Sequence, residues 1–156
     1  RRVIGISWKS FNSRYETKSI QLKDMADMFS GLDVVLVNLQ YGDVDDEIRA
    51  FKEETGIEVL QCASVDNRED LDGLEALIEV CDLVISTSNV TVHMAGALAK
   101  ETWVLLHHVT LYYWLIERRD SIWYATLRLY RQTSLNDWNS VYESIRKDLQ
   151  RKLVKT

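Results

Sequence analysis

The sequence has no proline in 156 residues. Average usage near 5% predicts roughly eight in this length. Its turns therefore fall to Gly, Asn, Asp and Ser. Only two cysteines are present, Cys62 and Cys81. They make neither a disulfide scaffold nor a four-ligand metal site, and a reducing, cytoplasmic setting is the default. The three histidines, two of them adjacent as His107 and His108, show no metal-ligand spacing. No apolar run approaches the length of a membrane span. The opening Arg1-Arg2-Val3-Ile4-Gly5-Ile6-Ser7 is too short and too soon polar for a signal peptide. A basic surplus is also missing. Lys and Arg number 19 against 24 Asp and Glu, a net charge of −5, which disfavours general nucleic-acid binding.

What remains is the balance of a soluble domain, 46% apolar and 28% charged. The length suits one domain over residues 1–156. Strand-like and helix-like segments alternate. Apolar runs at 3–7, 34–38, 57–60, 83–86, 102–106 and 127–130 read as strands. Helical spacing runs over 20–29, 43–54, 70–80, 90–100 and 135–153, with a helical turn at 111–117. Residues 11–18 read as a loop. The alternation predicts an α/β domain, a doubly wound parallel sheet of about six strands in the order 3-2-1-4-5-6. The first strand opens abruptly, as in a domain cut from a longer polypeptide or in a compact single domain.

Such sheets bind ligands at the carboxyl ends of strands, where the strand order reverses. That place lies between the first and fourth strands, where two unusual loops leave the sheet. One is Ser7-Trp8-Lys9-Ser10 and its continuation to Lys18. The other is Ser86-Thr87-Ser88-Asn89-Val90-Thr91-Val92-His93, which opens a helix. Ser and Asn are good N-caps, and a helix N-terminus attracts phosphate. Thr87, Ser88 and Thr91 offer hydroxyl donors. Capping of an ordinary core helix is the competing reading. His93, in the first turn, fits a phosphate contact or a structural histidine. Lys9 and Lys18 are candidate diphosphate cations, although a lysine placed like Lys18 is more often a solvated surface residue. Trp8 reads as core or as a pocket wall. The aromatic stretch Leu111-Tyr112-Tyr113-Trp114-Leu115 reads as core, as an interdomain contact or as a sugar platform. No GxGxxG follows the first strand, and no GxxxxGK[ST] or G-x-S-x-G occurs. Classical NAD binding, P-loop hydrolysis and the nucleophile elbow are disfavoured. Acidic runs at 43–47 and 66–72 read as helix-opening charge rather than ion sites.

The segment from Cys81 to Lys100, reading Cys-Asp-Leu-Val-Ile-Ser-Thr-Ser-Asn-Val-Thr-Val-His-Met-Ala-Gly-Ala-Leu-Ala-Lys, resembles the signature of heptosyltransferase-like glycosyltransferases. It is most similar to the bacterial branch often fused to tetratricopeptide repeats. Gly5-Ile6-Ser7-Trp8-Lys9-Ser10, Lys18-Ser19-Ile20, Asn38-Leu39-Gln40-Tyr41-Gly42-Asp43, Asp70-Leu71-Asp72 and Thr102-Trp103-Val104-Leu105-Leu106 extend the resemblance, and residues 114–138 continue it.

The resemblance implies a GT-B enzyme with two Rossmann-like domains, of which this chain matches the C-terminal, donor-binding one. The acceptor groove and general base would belong to the other. By resemblance, Ser7, Trp8, Lys9 and the segment Ser88, Asn89, Val90, Thr91 to His93 meet the donor diphosphate, and Gln40 and Tyr41 approach the base. The substrate is then a nucleotide-diphosphate sugar, with no metal or other cofactor. Relatives carry Asp-Thr where Ser88-Asn89 stand, and prolines where Glu101, His107, Ile122, Ala125 and Thr133 stand. The loop after the fifth strand loses that restriction of φ. A non-catalytic interaction domain and an epimerase-like enzyme are the alternatives. Self-association through exposed interdomain surface is a further expectation.

Overall fold

The structure, a computed structural model, describes residues 1–10 and 18–154. Apart from Lys18, the predicted loop at 11–18 lies outside the described residues. Strands β1 (Arg2–Ser7), β2 (Val34–Asn38), β3 (Val59–Leu60), β4 (Leu83–Thr87), β5 (Thr102–Leu106) and β6 (Leu127–Arg131) form one sheet in the order β3-β2-β1-β4-β5-β6. All its strand pairs are parallel. This is the predicted Rossmann-like order, with its reversal between β1 and β4.

Helices cover both faces because the strands are apolar on both. On one face Ile4, Ile6, Leu36, Ile85, Trp103 and Leu105 pack under α1 (Ala26–Phe29), α2 (Asp45–Thr55) and α5 (Trp138–Val154). On the other, Val84 and Leu39 meet Leu74, Ile78 and Ala95 of α3 (Leu71–Val80) and α4 (Val90–Ala97). Val104, Leu106, Leu127 and Leu129 bury Val92 and Trp114 there as well. Each such side chain contributes about 1.5–3 kcal/mol by leaving water.

Several elements are shorter than their sequence patterns. The predicted helix at 20–29 is a 3-10 turn, Leu22–Met25, running into one turn of α1. Its N-cap Gln21 makes no side-chain cap bond. The third strand keeps only Val59–Leu60, at the sheet edge. The turn predicted at 111–117 is a 3-10 helix at Tyr112–Trp114. Helix α4 ends at Ala97, before the expected Lys100. There Ala99 takes φ 53°, and the Lys100 N–H reaches back to the Ala95 carbonyl at 2.9 Å, a Schellman closure without glycine. Asp70 caps α3 by accepting from Gly73 N–H at 2.9 Å. Asp137, with Asn136 at φ 63°, accepts from Ser140 N–H at 3.2 Å and opens α5.

Candidate anion site

The two predicted loops meet. Asn89, the N-cap of α4, accepts from Thr91 N–H through Oδ1 at 3.0 Å. Its amide nitrogen donates to Ser7 Oγ at 2.7 Å and to the Lys9 carbonyl at 3.3 Å. Ser86, in register with Ser7, donates to the Thr87 carbonyl at 2.8 Å. Gln40 braces the junction from the end of β2. Its Oε1 accepts from Ser7 Oγ, Trp8 N–H and Lys9 N–H at 3.1, 2.8 and 2.9 Å. Ser7, Gln40, Thr87, Ser88, Asn89 and Thr91 are all buried. Gln40 and Asn89 therefore serve the scaffold, and they fix where the β1 loop and the α4 N-terminus face each other.

The candidate lysines diverge. The Lys9 ammonium pairs with the Glu47 carboxylate of α2 at 2.5 Å. Glu47 also accepts from the Trp8 indole and from Leu22 N–H, each at 3.0 Å. Burial alone would raise the Glu47 carboxyl, but these donors hold it below the usual carboxylate range. Trp8 is fully buried in the core beneath this carboxylate, the core alternative of its two readings rather than the pocket wall. The acidic run at 43–47 concealed Glu47: Asp45 and Asp46 open α2 on its exposed side, Asp46 pairing with Arg49, while Glu47 turns inward. Only its helical offset from its neighbours signals this.

Lys18 is 7% exposed, no surface lysine, and burial lowers its pKa. Its charge acts on two imidazoles, His93 of α4 and His107 after β5, and burial with that charge depresses both. His93 stacks on Trp114 at a centroid distance of 5.7 Å, and its Nδ1 lies 3.3 Å from the Tyr124 hydroxyl. The Trp114 indole donates to Ser88 Oγ at 2.9 Å, leaving the Ser88 proton free to point elsewhere. Arg131 ties the proline-free loop down, donating to Thr110 Oγ1 at 2.5 Å and to the Leu115 carbonyl at 2.6 Å.

Lys18 is thus a buried cation whose charge opposes protonation of His93, in the first turn of α4, and of His107, next after β5. At the carboxyl ends of the neighbouring strands β4, β5 and β6, three buried polar atoms have no hydrogen-bond partner among the described residues: Thr87 Oγ1, His107 Nδ1 and Arg131 Nε. Such atoms are uncommon and call for an explanation. Val90 is 49% exposed. With Tyr41, Gly42, Asn67, Leu71 and Leu74 it lines an apolar recess of about 390 Å³. A groove of about 400 Å³ between β6 and α5 is also rich in Arg and Lys, but Asp148 pairs there with Arg128 and Arg151. No group of three or more metal-ligating side chains occurs among the described residues.

This architecture is shared with solved glycosyltransferases. The chain superposes on 43% of Escherichia coli heptosyltransferase WaaC, crystallised with ADP-2-deoxy-2-fluoro heptose, with a TM-score of 0.62 and 12% identity over 93% of its own length. A glycosyl transferase family 9 protein from Veillonella parvula matches with a TM-score of 0.65 and 16% identity, over 99% of this chain and 47% of that one. The E. coli ADP-heptose lipopolysaccharide heptosyltransferase II gives a TM-score of 0.58 and 16% identity, over 96% of this chain and 48% of that one. The fold is heptosyltransferase-like. By sequence, 72 residues are 47% identical to Protein FlbA of Caulobacter vibrioides, covering 46% of this chain and 12% of that protein. No family model matches. The chain spans under half the length of each of these proteins.

Proposed function

We propose that this domain binds the diphosphate of a nucleotide sugar, as the C-terminal half of a bacterial GT-B glycosyltransferase of the kind fused to tetratricopeptide repeats. The observation that carries the reading is Lys18. It is a buried cation whose charge acts on His93, in the first turn of α4, and on His107. An anion seated there gains the ammonium, the partial positive charge of the helix start and the Ser88 hydroxyl. Val90 and Thr91 supply the first helical turn, and the Tyr41 recess suits a nucleobase. Lys9 serves by backbone and by its pairing with Glu47 rather than as the principal phosphate cation.

In the full enzyme an acceptor hydroxyl attacks the anomeric carbon, and the bond from that carbon to the diphosphate oxygen breaks. The departing diphosphate gains negative charge, which Lys18 and α4 stabilise. The acceptor's proton passes to a base on the partnering domain. The transferred group is a hexose or heptose. The exposed Val109, Tyr112, Ile116, Ile122 and Trp123 suit contact with that domain, or self-association without it. No helix among the described residues is long and apolar enough to cross a membrane, consistent with work on cytoplasmic sugar nucleotides.

Calorimetric titration with ADP, GDP, UDP and their sugars tests the reading. Expected is binding at up to millimolar ligand, lost in Lys18→Met. Absence of binding by any of them overturns it. The second reading, an interaction domain with a lapsed site, is favoured by the Lys9–Glu47 pair. It predicts that Lys18→Met and His93→Asn leave ligand-induced stabilisation unchanged.

A further inference from the structure

Strand β6 is the last of the sheet, and its outer edge is only partly covered. On the inner side, Thr102 N–H donates to the Thr126 carbonyl at 3.1 Å and Gln132 N–H to the Leu106 carbonyl at 2.9 Å. The alternation of a parallel ladder therefore turns the backbone groups of Leu127, Leu129 and Arg131 outward. The Tyr124 carbonyl accepts from Leu127 N–H at 3.2 Å, and the Arg119 carbonyl from Leu129 N–H at 2.7 Å. Arg131 N–H has no hydrogen-bond partner among the described residues. The segment covering the edge pairs with it through a single antiparallel bridge, Asp120 with Arg128. Carried on in that register, it would set Glu117 against Arg131. It does not continue, because Glu117 takes φ 61° and Leu115 φ 56°, and a positive φ breaks an extended strand. Between this segment, β6 and α5 lies the groove of about 400 Å³. An uncovered strand edge is a template for pairing with another chain.

The groove is basic in an acidic chain. Six Arg and Lys residues line it against two acidic ones, Glu117 and Asp148, whereas the whole sequence carries −5. Asp148 is committed to Arg128 and Arg151, and Arg118 pairs with Asp120. Arg119, Arg131 and Lys147 have no carboxylate partner among the described residues. We propose that this groove docks an extended acidic segment of a partner protein, which continues the sheet beyond β6 by pairing with the Arg131 backbone and sets its carboxylates against Arg119, Arg131 and Lys147. Backbone pairing supplies affinity and the charges supply selectivity. A phosphate group answers the cations but not the strand edge, and the net charge of the chain disfavours nucleic acid. The proposal is independent of the diphosphate reading, since Lys18, Ser88 and His93 are not among the residues lining this groove.

Hexaglutamate, acetylated and amidated at its ends, is the probe. It is titrated calorimetrically in about 50 mM salt, where screening is weak, beside hexaglutamine and hexalysine. The chain is expected to bind hexaglutamate at up to millimolar peptide, and at least about tenfold more tightly than either control. Arg119→Glu/Lys147→Glu reverses two exposed charges. It is expected to weaken hexaglutamate binding by about tenfold, with the melting temperature and pyrophosphate affinity unchanged. Hexaglutamate methylated at alternate backbone nitrogens keeps its charge and loses strand-pairing donors. It is expected to bind about tenfold more weakly than the parent peptide. Hydrogen exchange at the Arg131 amide is expected to slow when the parent peptide binds. Failure of hexaglutamate to bind, equal binding by the double variant, or equal binding of the methylated peptide overturns the proposal. A hexathymidylate that outcompetes hexaglutamate would overturn it by assigning the groove to nucleic acid. A wild-type dimer that the double variant dissolves would overturn it in favour of a second copy of the chain. None of these results bears on the diphosphate reading, which titration with pyrophosphate and the nucleoside diphosphates decides.

Discussion

The amide nitrogen of Asn89 lies 2.7 Å from the hydroxyl of Ser7, joining residues 82 positions apart. One side chain thus caps α4 and binds the loop after β1 to the loop after β4. The crossover of the sheet is closed by a hydrogen bond, and the site is built around that closure.

Replacing Asn89 separates its two roles. Asn89→Ala removes a cap, worth about 1 kcal/mol, and leaves buried Ser7 and Thr91 groups short of partners, at about 1–3 kcal/mol. The expected loss is about 2–4 kcal/mol. Asn89→Asp keeps the cap acceptor but forfeits the donors to Ser7 and Lys9. It also places a carboxylate in the anion site. Urea unfolding should rank wild type above both variants, and Asn89→Asp should also lose pyrophosphate affinity. Wild-type stability in Asn89→Ala would contradict the role assigned to this junction.

The sheet order was legible because strand and helix periods alternate cleanly, and because one crossover hand and short connections leave few topologies. The meeting of the 7–10 and 86–93 loops followed from that order. What pattern does not encode is the direction of long side chains. Lys9, next to the strand, looked the better cation, yet it turns to Glu47. Lys18, which reads as surface, is buried, and its charge acts on two histidines. Glu47 itself was hidden in a run of carboxylates that otherwise behave as solvated helix-opening charge. The orphan atoms of Thr87, His107 and Arg131 depend on tertiary packing, and no local spacing marks them.

Glu47 makes stability depend on acid. Its folded pKa lies below the ordinary carboxylate value because Lys9, Leu22 N–H and the Trp8 indole outweigh the opposing effect of burial. A depressed carboxylate contributes stability that is present above its unfolded pKa of about 4.3, and that is lost as pH falls through the folded value. Thermal melts from pH 6 to pH 3 should show a steeper loss in wild type than in Glu47→Gln. At neutral pH Glu47→Ala should cost about 2–3 kcal/mol, since buried or half-buried donors lose their acceptor. Parallel pH profiles for wild type and Glu47→Gln would sink this assignment.

The two histidines act in a higher window. Burial and the Lys18 charge lower the pKa of His93 and of His107, with Arg131 adding to the effect at His107. The unfolded chain takes up protons below about pH 6.5, while the folded protein resists them. Stability is therefore full above that pH and declines as pH falls toward the folded values. Melting temperature should drop between pH 7.5 and pH 5.5 in wild type. It should drop less in His93→Asn/His107→Gln, which has no imidazole to charge at either position. A saturating diphosphate should flatten the wild-type profile, because an anion beside the rings reduces the penalty for protonation. An unchanged slope in the double variant would show that the imidazoles do not set it.

Gly96 tests how His93 is held. A Cβ on Gly96 would stand 2.5 Å from the ring of Tyr124, too close for any ordinary contact. Tyr124 is the residue whose hydroxyl meets His93 Nδ1 at 3.3 Å and whose ring packs edge-on to it at 5.9 Å. Gly96→Ala must therefore push Tyr124 away, and the cost of overpacking is about 1–3 kcal/mol. A helical alanine otherwise gains about 1 kcal/mol over glycine, so the sign of the change depends on Tyr124. In a Tyr124→Ala background the clash is gone, and Gly96→Ala should stabilise. The double-mutant cycle should give a coupling of at least about 1 kcal/mol. Displacing Tyr124 also frees the His93 ring, so Gly96→Ala alone should weaken pyrophosphate binding although residue 96 touches no ligand. If Gly96→Ala raises the melting temperature in both backgrounds, Tyr124 does not press on α4, and His93 is held by its ring contacts with Trp114 and Tyr113.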